Sequence, residues 1–591
     1  MQASPSETNA PLILVEASLT FFALGAAYLW PRLGWITFAR IERAFARLAH
    51  RRGLSTIVVG LTAILLRLAI LPLCPIPLPF VADDFSFLLA ANTFLHGRLT
   101  NPTPLMWTHF ESIHVTMLPT YTSMYFPAQA LVLAAGKLLF GHPWFGILAT
   151  SALMCAAICW MLQAWLPATW ALFGGFIAVL HLGLFSYWVN TYHSAGAIGA
   201  TGGALILGAL PRALKTGLLR YWLLLSIGIG TLIICRPYEA LLLCLPVSVA
   251  IGRWILRGAN CPSPQVLMRR AVLPIAVVVT ALAWLGYYDY QAFGKATTLP
   301  YTVDRTTYAM APYFIWQNAR PEPAYRQAEM RRFYYDEIEV YKGIHTPSGF
   351  IPSTFTKVLF GVMFFAGVAL MTPLIMIGRV FQDRRIRFLL ICVLVMAPGM
   401  LIQIYLIPHY VAAFTCAFYA IGLQCMRHLR FWAPDGRPAG RTLVRLTVVI
   451  LLMMGILRVY AEPLHFPFSE QFPGTWNFEW YGPVQWGGER AAIAEKLDQM
   501  PGKQLVIVHY SDKHWTPDEW IYNEPDIDAS KVVWAADVGS NANAELLRYY
   551  KDRRVWLVQP DRPEAMLTPY SMQPAPAQLD QLIAKNNKNP R

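Results

Sequence analysis

Two adjacent acids, Asp83 and Asp84, follow a long apolar run from Ile57 to Val81 and open a polar, broken stretch that reaches Tyr125. An ionisable pair at the mouth of an apolar helix is costly unless it meets water, a cation or a ligand. A carboxylate placed there suits general-base work, because desolvation and a like-charged neighbour both push its pKa upward. A plainer use stands beside it: Asp ahead of an apolar helical run accepts backbone N–H bonds as a cap. The two uses are compatible, one acid capping while the other faces a cavity, and Asp83 is the preferred base.

Three further clusters sit at the ends of apolar runs. In Arg236-Pro237-Tyr238-Glu239 the arginine has the geometry to hold a phosphate bidentately, and an Arg236–Glu239 ion pair is the competing use. In Pro408-His409-Tyr410 the imidazole can donate to a phosphate oxygen, against an ordinary interfacial aromatic pair. Asn190, Tyr192 and His193 form a polar group in a short loop, either lining a cavity with Glu239 or simply meeting water. Lys295 and Arg305 are weaker phosphate candidates. His109, Glu111 and His114 do not have the spacing of a helical HExxH site, so no metal is assigned. No Ser–His–Asp order and no cysteine nucleophile stands out.

These residues need elements that bring them together, and composition names the class. The 591 residues are 56% hydrophobic and only 14% charged. Repeated runs of roughly 18 or more apolar residues read as membrane-spanning helices. The formal charge of +14 comes from arginines in short clusters between those runs. That is the positive-inside pattern, and basic and aromatic residues never interleave on one polar face as nucleic-acid binding requires. The nine cysteines lie mostly inside apolar runs, so no disulfide framework is implied. The first run, Pro11 to Trp30, has no basic leader and no small-residue cleavage site and reads as a retained anchor.

Counting the runs against the arginine clusters predicts a mainly α polytopic protein of about twelve spans. Every basic cluster then falls on the cytoplasmic side. The segment from Asp83 to Gly141 becomes a long outer loop with interfacial helices, among them Phe87 to Leu95, stopped at Gly97, and Phe126 to Phe140, lying flat. Asp289 to Ser353 is a second large outer segment. After Ala461 the composition changes. Gln504–Tyr510, Lys531–Ala536 and Arg554–Gln559 read as buried strands, with Glu489–Met500 and Asn543–Tyr550 as helices, which predicts a small α/β domain. No glycine-rich phosphate loop follows any strand, so no nucleotide and no other cofactor is assigned. Pro563 to Arg591, rich in Pro, Gln and Asn, reads as loosely ordered. The expected division is an extra N-terminal helix and basic loop (1–53), a membrane catalytic region (54–460) and a soluble α/β domain with its tail (461–591).

The chain resembles the GT-C superfamily of membrane glycosyltransferases, which includes protein O-mannosyltransferases and the aminoarabinose transferase of lipid A. The resemblance covers about residues 54–430. It is carried by Asp83-Asp84 in the first outer loop, the Gly141-His142-Pro143-Trp144 turn, the Arg236-Pro237 pair and the His409-Tyr410 helix entrance. It implies a polyprenyl-phosphate-linked sugar as donor, a glycan, lipid or protein acceptor, and a single inverting displacement. Asp83 or Asp84 would deprotonate the acceptor hydroxyl, and Arg236, with His409, would hold the departing phosphate. The expected location is the bacterial inner membrane, with the site and the C-terminal domain facing the periplasm. The chain departs from the better-known members in its first helix and its α/β tail, and it lacks a WWD-type motif. Two other classes compete. A transporter or lipid flippase usually carries charged or helix-breaking residues at mid-membrane, whereas the charges here gather at helix ends. A non-catalytic envelope-assembly scaffold would use the tail for docking.

Overall fold

The structure is a computed structural model that describes residues 10–258, 261–460, 464, 487–562 and 567–571. It is mainly α-helical and polytopic, with one small C-terminal sheet. Among the described residues nine helices are long and apolar enough to cross a membrane, beginning with Leu12–Leu29 and ending with Ala439–Val459. Ala128–Phe140, Ala168–Leu184, Leu219–Cys235 and Arg387–Leu401 are shorter apolar helices, so the about twelve spans expected stand against these nine by length and composition. Local chemistry sets the helix ends. Pro237 and Pro264 begin helices Pro237–Arg257 and Pro264–Phe293, where a missing N–H costs nothing. Gly294 ends the second of these in the left-handed conformation, as Gly141 and Gly217 end two others.

The helix at Ala128–Phe140 has 13 residues, a rise of about 20 Å, short of a hydrocarbon core of about 30 Å. Connectivity agrees. His193 Nδ1 lies 2.8 Å from Asp84 Oδ1, so the two chain segments meet on one face. With Trp144–Trp165 and Ala168–Leu184, the longer of the two shorter apolar helices there, crossing between them, the count is even. An additional crossing at 128–140 would put them on opposite sides.

Three expectations are corrected. The basic stretch 35–50 is a helix, Trp35–His50, because Trp35, Phe38, Phe45 and Leu48 recur at helical spacing between the arginines. The polar segment expected from Asp289 starts later, since helix Pro264–Phe293 runs through it. Part of the tail expected to be loose, Leu567–Ser571, contributes strand Thr568–Pro569 to the sheet. Residues 563–566 and 572–591 lie outside the described residues.

A small antiparallel ladder, β1 (Val115–Thr116) with β2 (Thr122–Ser123), shapes the first loop. The C-terminal sheet comprises β3 (Lys503–Val508), β4 (Val532–Ala536), β5 (Arg553–Val558) and β6 (Thr568–Pro569), in the order β4-β3-β5-β6. β3 pairs in parallel with β4 and with β5, and β6 is antiparallel to β5 at the edge. The β3 residues Leu505 to Ile507 are fully buried, as a strand covered on both faces must be.

This domain is built onto the helix that starts with the acid pair. Leu89, Phe110, Met117 and Tyr121 share one apolar cluster with Leu505, Val533 and Ala535. Ala82 N–H donates to Pro517 O at 3.1 Å, and Glu519 N–H donates to Phe80 O at 2.9 Å. The Arg490 guanidinium lies 4.5 Å from the Phe85 ring centroid and 4.7 Å from that of Trp534. Helix Ala82–Leu95 is therefore gripped along its length, and the position of Asp83 is fixed from outside the membrane region.

Within the membrane region, glycines allow the close approaches that seat the site. A Cβ on Gly203, in helix Gly196–Thr216, would fall 1.8 Å from the backbone oxygen of Ala413. Ala413 belongs to the 3-10 stretch Pro408–Phe414 that carries His409 and Tyr410. Gly203→Ala is expected to push that stretch away and to cost about 1–3 kcal/mol of stability. Thermal unfolding in detergent would show a lowered midpoint, and an unchanged midpoint would refute the tight contact.

Candidate active site

Four helix ends meet in one small cavity of about 40 Å³. Its lining includes Asp83, Tyr125, His193, Arg236, Tyr301, His409 and Tyr410, with Phe87, Phe126, Ala195, Cys235 and Ile407 as apolar wall. Asp83, Arg236, His193, His409 and Tyr410, picked from four separate places in the sequence, thus share one space.

The acid pair divides its work. Asp83 opens onto the cavity, where it accepts a short hydrogen bond from the Tyr125 hydroxyl and pairs with His114 Nδ1 at 3.4 Å. Asp84 is fully buried and turned away. Its Oδ1 accepts from Tyr192 N–H at 2.9 Å and faces His193 Nδ1 at 2.8 Å, and its Oδ2 takes Phe80 N–H at 3.3 Å. The cap residue of the helix is Val81, without a side-chain bond, so neither acid caps in the ordinary sense. Asp84 instead pins the 192–193 loop to the start of the helix.

Burial tends to raise the Asp83 carboxyl, but His114, His193 and Tyr125 outweigh it and hold Asp83 well below the usual carboxylate range. The upward push expected from a like-charged neighbour fails because Asp84 turns its charge into its own set of donors.

Across the cavity Arg236 is the connecting residue between helices Leu219–Cys235 and Pro237–Arg257. Its Nη1 meets Glu239 at 3.3 Å and its Nη2 donates to Ser194 O at 2.9 Å. Its guanidinium carbon sits 5.3 Å from the Tyr410 ring centroid. Among the described residues its Nε has no hydrogen-bond partner. The Arg236–Glu239 pair therefore exists, and it fixes the arginine while leaving a donor unused. His409 is oriented by Tyr187, whose hydroxyl accepts from His409 N–H at 3.0 Å and lies 2.7 Å from Nδ1. With the hydroxyl donating to Nδ1, the ring keeps its proton on Nε2 as a donor.

Other expected site residues lie elsewhere. Asn190 does not line the cavity; it accepts from the buried Arg67 at 3.0 Å. Arg67 also donates to Cys74 O at 2.8 Å and Pro75 O at 3.1 Å and stacks on Trp144, joining the Gly141–Trp144 turn to the segment that leads to Asp83. Tyr192 is buried with its hydroxyl on Pro77 O at 2.8 Å. Glu239 stands behind Arg236 rather than on the wall. Lys295 is in an exposed turn outside the cavity lining. Arg305 is committed to Glu337 at 2.6 Å.

His109, Glu111 and His114 point to separate partners: Ala536 O at 3.2 Å, the Tyr308 hydroxyl at 3.0 Å, and Asp83. Among the described residues no group of three or more His, Cys, Asp or Glu is arranged to hold a metal ion. Tyr125, Tyr187 and Tyr301 are the site residues that sequence reasoning missed. Their one signal is aromatic residues beside the polar loops.

No family model and no curated protein matches the sequence. The chain aligns over most of its length with solved structures that include an oligosaccharyltransferase and ArnT. The oligosaccharyltransferase of Archaeoglobus fulgidus in complex with zinc and sulfate aligns with TM-score 0.44 and 12% identity, covering 85% of this chain and 67% of that one. ArnT from Cupriavidus metallidurans bound to undecaprenyl phosphate aligns with TM-score 0.45 and 12% identity, covering 85% and 92%. At this identity the likeness concerns the arrangement of helices.

Proposed function

We propose that the protein is an inverting glycosyltransferase that moves a sugar from a polyprenyl-phosphate donor to an acceptor hydroxyl at the outer face of the bacterial inner membrane. The observation that carries this reading is the cavity in which a carboxylate, Asp83, shares one wall system with a guanidinium, Arg236, that has an unused donor. Asp83 takes the proton from the acceptor hydroxyl as that oxygen attacks the anomeric carbon. The bond from that carbon to the phosphate oxygen breaks, and its electron pair leaves on the lipid phosphate. Arg236 Nε and the imidazole of His409 meet the charge that develops there, where preorganised donors act most strongly. Tyr410, stacked under the guanidinium, keeps it aimed. Residues 54–460 form the catalytic region in this reading. The α/β unit within 461–591 holds the Asp83 helix from the periplasmic side and faces the acceptor, a glycan, lipid or protein.

A transporter needs a continuous path, and a scaffold needs no carboxylate facing a cation. Neither reading has an observation of its own here. The test is a structure of the protein with undecaprenyl phosphate. Phosphate density within hydrogen-bonding distance of Arg236 and in the Asp83 cavity is expected. Density for the phosphate elsewhere, with the cavity empty, would overturn the assignment.

A further inference from the structure

His114 stands behind Asp83, and the reaction written above gives it no part. It lies in the turn before β1 at φ +65°, a left-handed backbone that a residue with a side chain adopts only when its surroundings enforce it. The surroundings here are specific. Its carbonyl accepts from Ser86 Oγ at 2.6 Å and from Met124 N–H at 3.2 Å, which ties the turn to the Asp83 helix and to the segment after β2. Its ring meets Tyr125 and Phe333 edge to face, with centroids 5.7 and 5.3 Å apart. This places Nδ1 3.4 Å from Asp83 Oδ1 and 3.1 Å from the Tyr125 hydroxyl, so three proton-carrying groups converge.

Charged groups act on the imidazole from every side that packs against it: Asp83, Asp304 of helix Pro300–Tyr308, Glu337 of helix Ala328–Ile344, and His193. Glu337 is neutralised by Arg305 at 2.6 Å. Asp304 is fully buried, takes the Tyr334 hydroxyl at 3.3 Å on Oδ1, and among the described residues has no partner on Oδ2. Burial lowers the His114 imidazole, but Asp83, with Asp304 and Glu337, outweighs it and holds the ring above the ordinary histidine range. A carboxylate gripped by two donors is stable as an anion and correspondingly poor at keeping a proton.

We propose that His114 is the positioning residue of Asp83 and the first resting place of the proton that Asp83 removes. The proposal rests on the transfer reading above. The acceptor O–H bond breaks, the proton passes to the Asp83 carboxylate and from there to the lone pair of His114 Nδ1, and the resulting imidazolium is stabilised by the buried Asp304. The strained turn is what holds Nδ1 at that spot. His114 must be neutral to receive the proton, so the rate should rise with pH as the imidazole loses its own. That limb should lie above the ordinary histidine value of about 6.5.

Two measurements test this on the full chain in detergent. Site-resolved C2–H exchange of the histidines reads the His114 titration without any activity. In Asp83→Asn the largest raising partner is gone while burial remains, so the titration should move down. In His114→Gln, with His114→Asn as a second variant should the first fold poorly, transfer should drop about 10–100-fold. Undecaprenyl phosphate should still bind within about twofold, and the acidic limb should move down by about one pH unit or more, to the ionisation of Asp83 itself. A titration that stays in place in Asp83→Asn overturns the proposal, as does a rate loss in His114→Gln with an unmoved limb. If the wild-type protein neither binds the lipid phosphate nor transfers sugar, the relay falls together with the transfer reading. If it does both and only the histidine measurements fail, the relay falls alone.

Discussion

Asp83→Asn should abolish most sugar transfer while leaving the donor lipid bound. The amide is the same size as the carboxyl and still accepts from Tyr125, so the fold has little to lose. It cannot take a proton, and a positioned general base is worth about 10²–10⁴ in rate. The expected result is therefore a fall in turnover of about that size with donor affinity nearly unchanged, read from a transfer assay beside a binding measurement with undecaprenyl phosphate. Asp84→Asn should behave differently. It weakens the bonds to Tyr192 N–H, His193 and Phe80 N–H that join the loop to the helix start. Removing a charge-assisted bond at a fully buried carboxylate costs about 1.5–3 kcal/mol, so lowered thermal stability should be its first sign. If the two variants lose turnover equally and keep equal stability, the division of labour between the acids is wrong. If Asp83→Asn retains full turnover, the base lies elsewhere.

That division was not legible in the sequence, and the reason is geometric. Two adjacent residues at a helix start point about 100° apart, and nothing local says which direction is the cavity. The ends of the spans were legible, because an apolar run that stops at a charge marks a membrane boundary. Arg236, His409-Tyr410 and His193 all sit at such boundaries, and alternation of the spans puts these boundaries on one side. The residues that complete the site sit in loops with no periodicity. Tyr125 and His114 reach Asp83 through β1, β2 and a left-handed turn, none of which leaves a pattern in a single sequence. Arg67 was not singled out in the sequence, and only the fold shows it tying Asn190 and the 74–75 backbone together. The C-terminal strands were legible from their apolar runs. Their shared core with Leu89 and Phe110 was not, because strand patterning names the buried faces and leaves their partners open.

Arg236→Lys should weaken binding of the lipid phosphate about 10–100-fold while the protein stays folded. Lysine keeps the positive charge, so Glu239, buried beside it, is not left as an unpaired anion. It loses the planar fork, and with it the bond to Ser194 O, the stacking on Tyr410 and the buried Nε donor that has no partner among the described residues. Hydrogen bonds to charged groups are worth about 1.5–3 kcal/mol each, which sets the expected range. Arg236→Ala is the harsher variant and the less informative one, because stranding a buried carboxylate costs about 3–5 kcal/mol and confounds binding with folding. Replacing both Arg236 and Glu239 with methionine removes that penalty, since an apolar pair of similar volume is often tolerated where a broken ion pair is not. The double variant should fold and fail to hold phosphate. Binding of undecaprenyl phosphate measured on Arg236→Lys, the double variant and Glu239→Gln separates the roles: the first two should lose affinity, and Glu239→Gln, which leaves the fork in place, should lose little. Equal losses in all three would make Glu239 a ligand of the donor rather than the brace of Arg236.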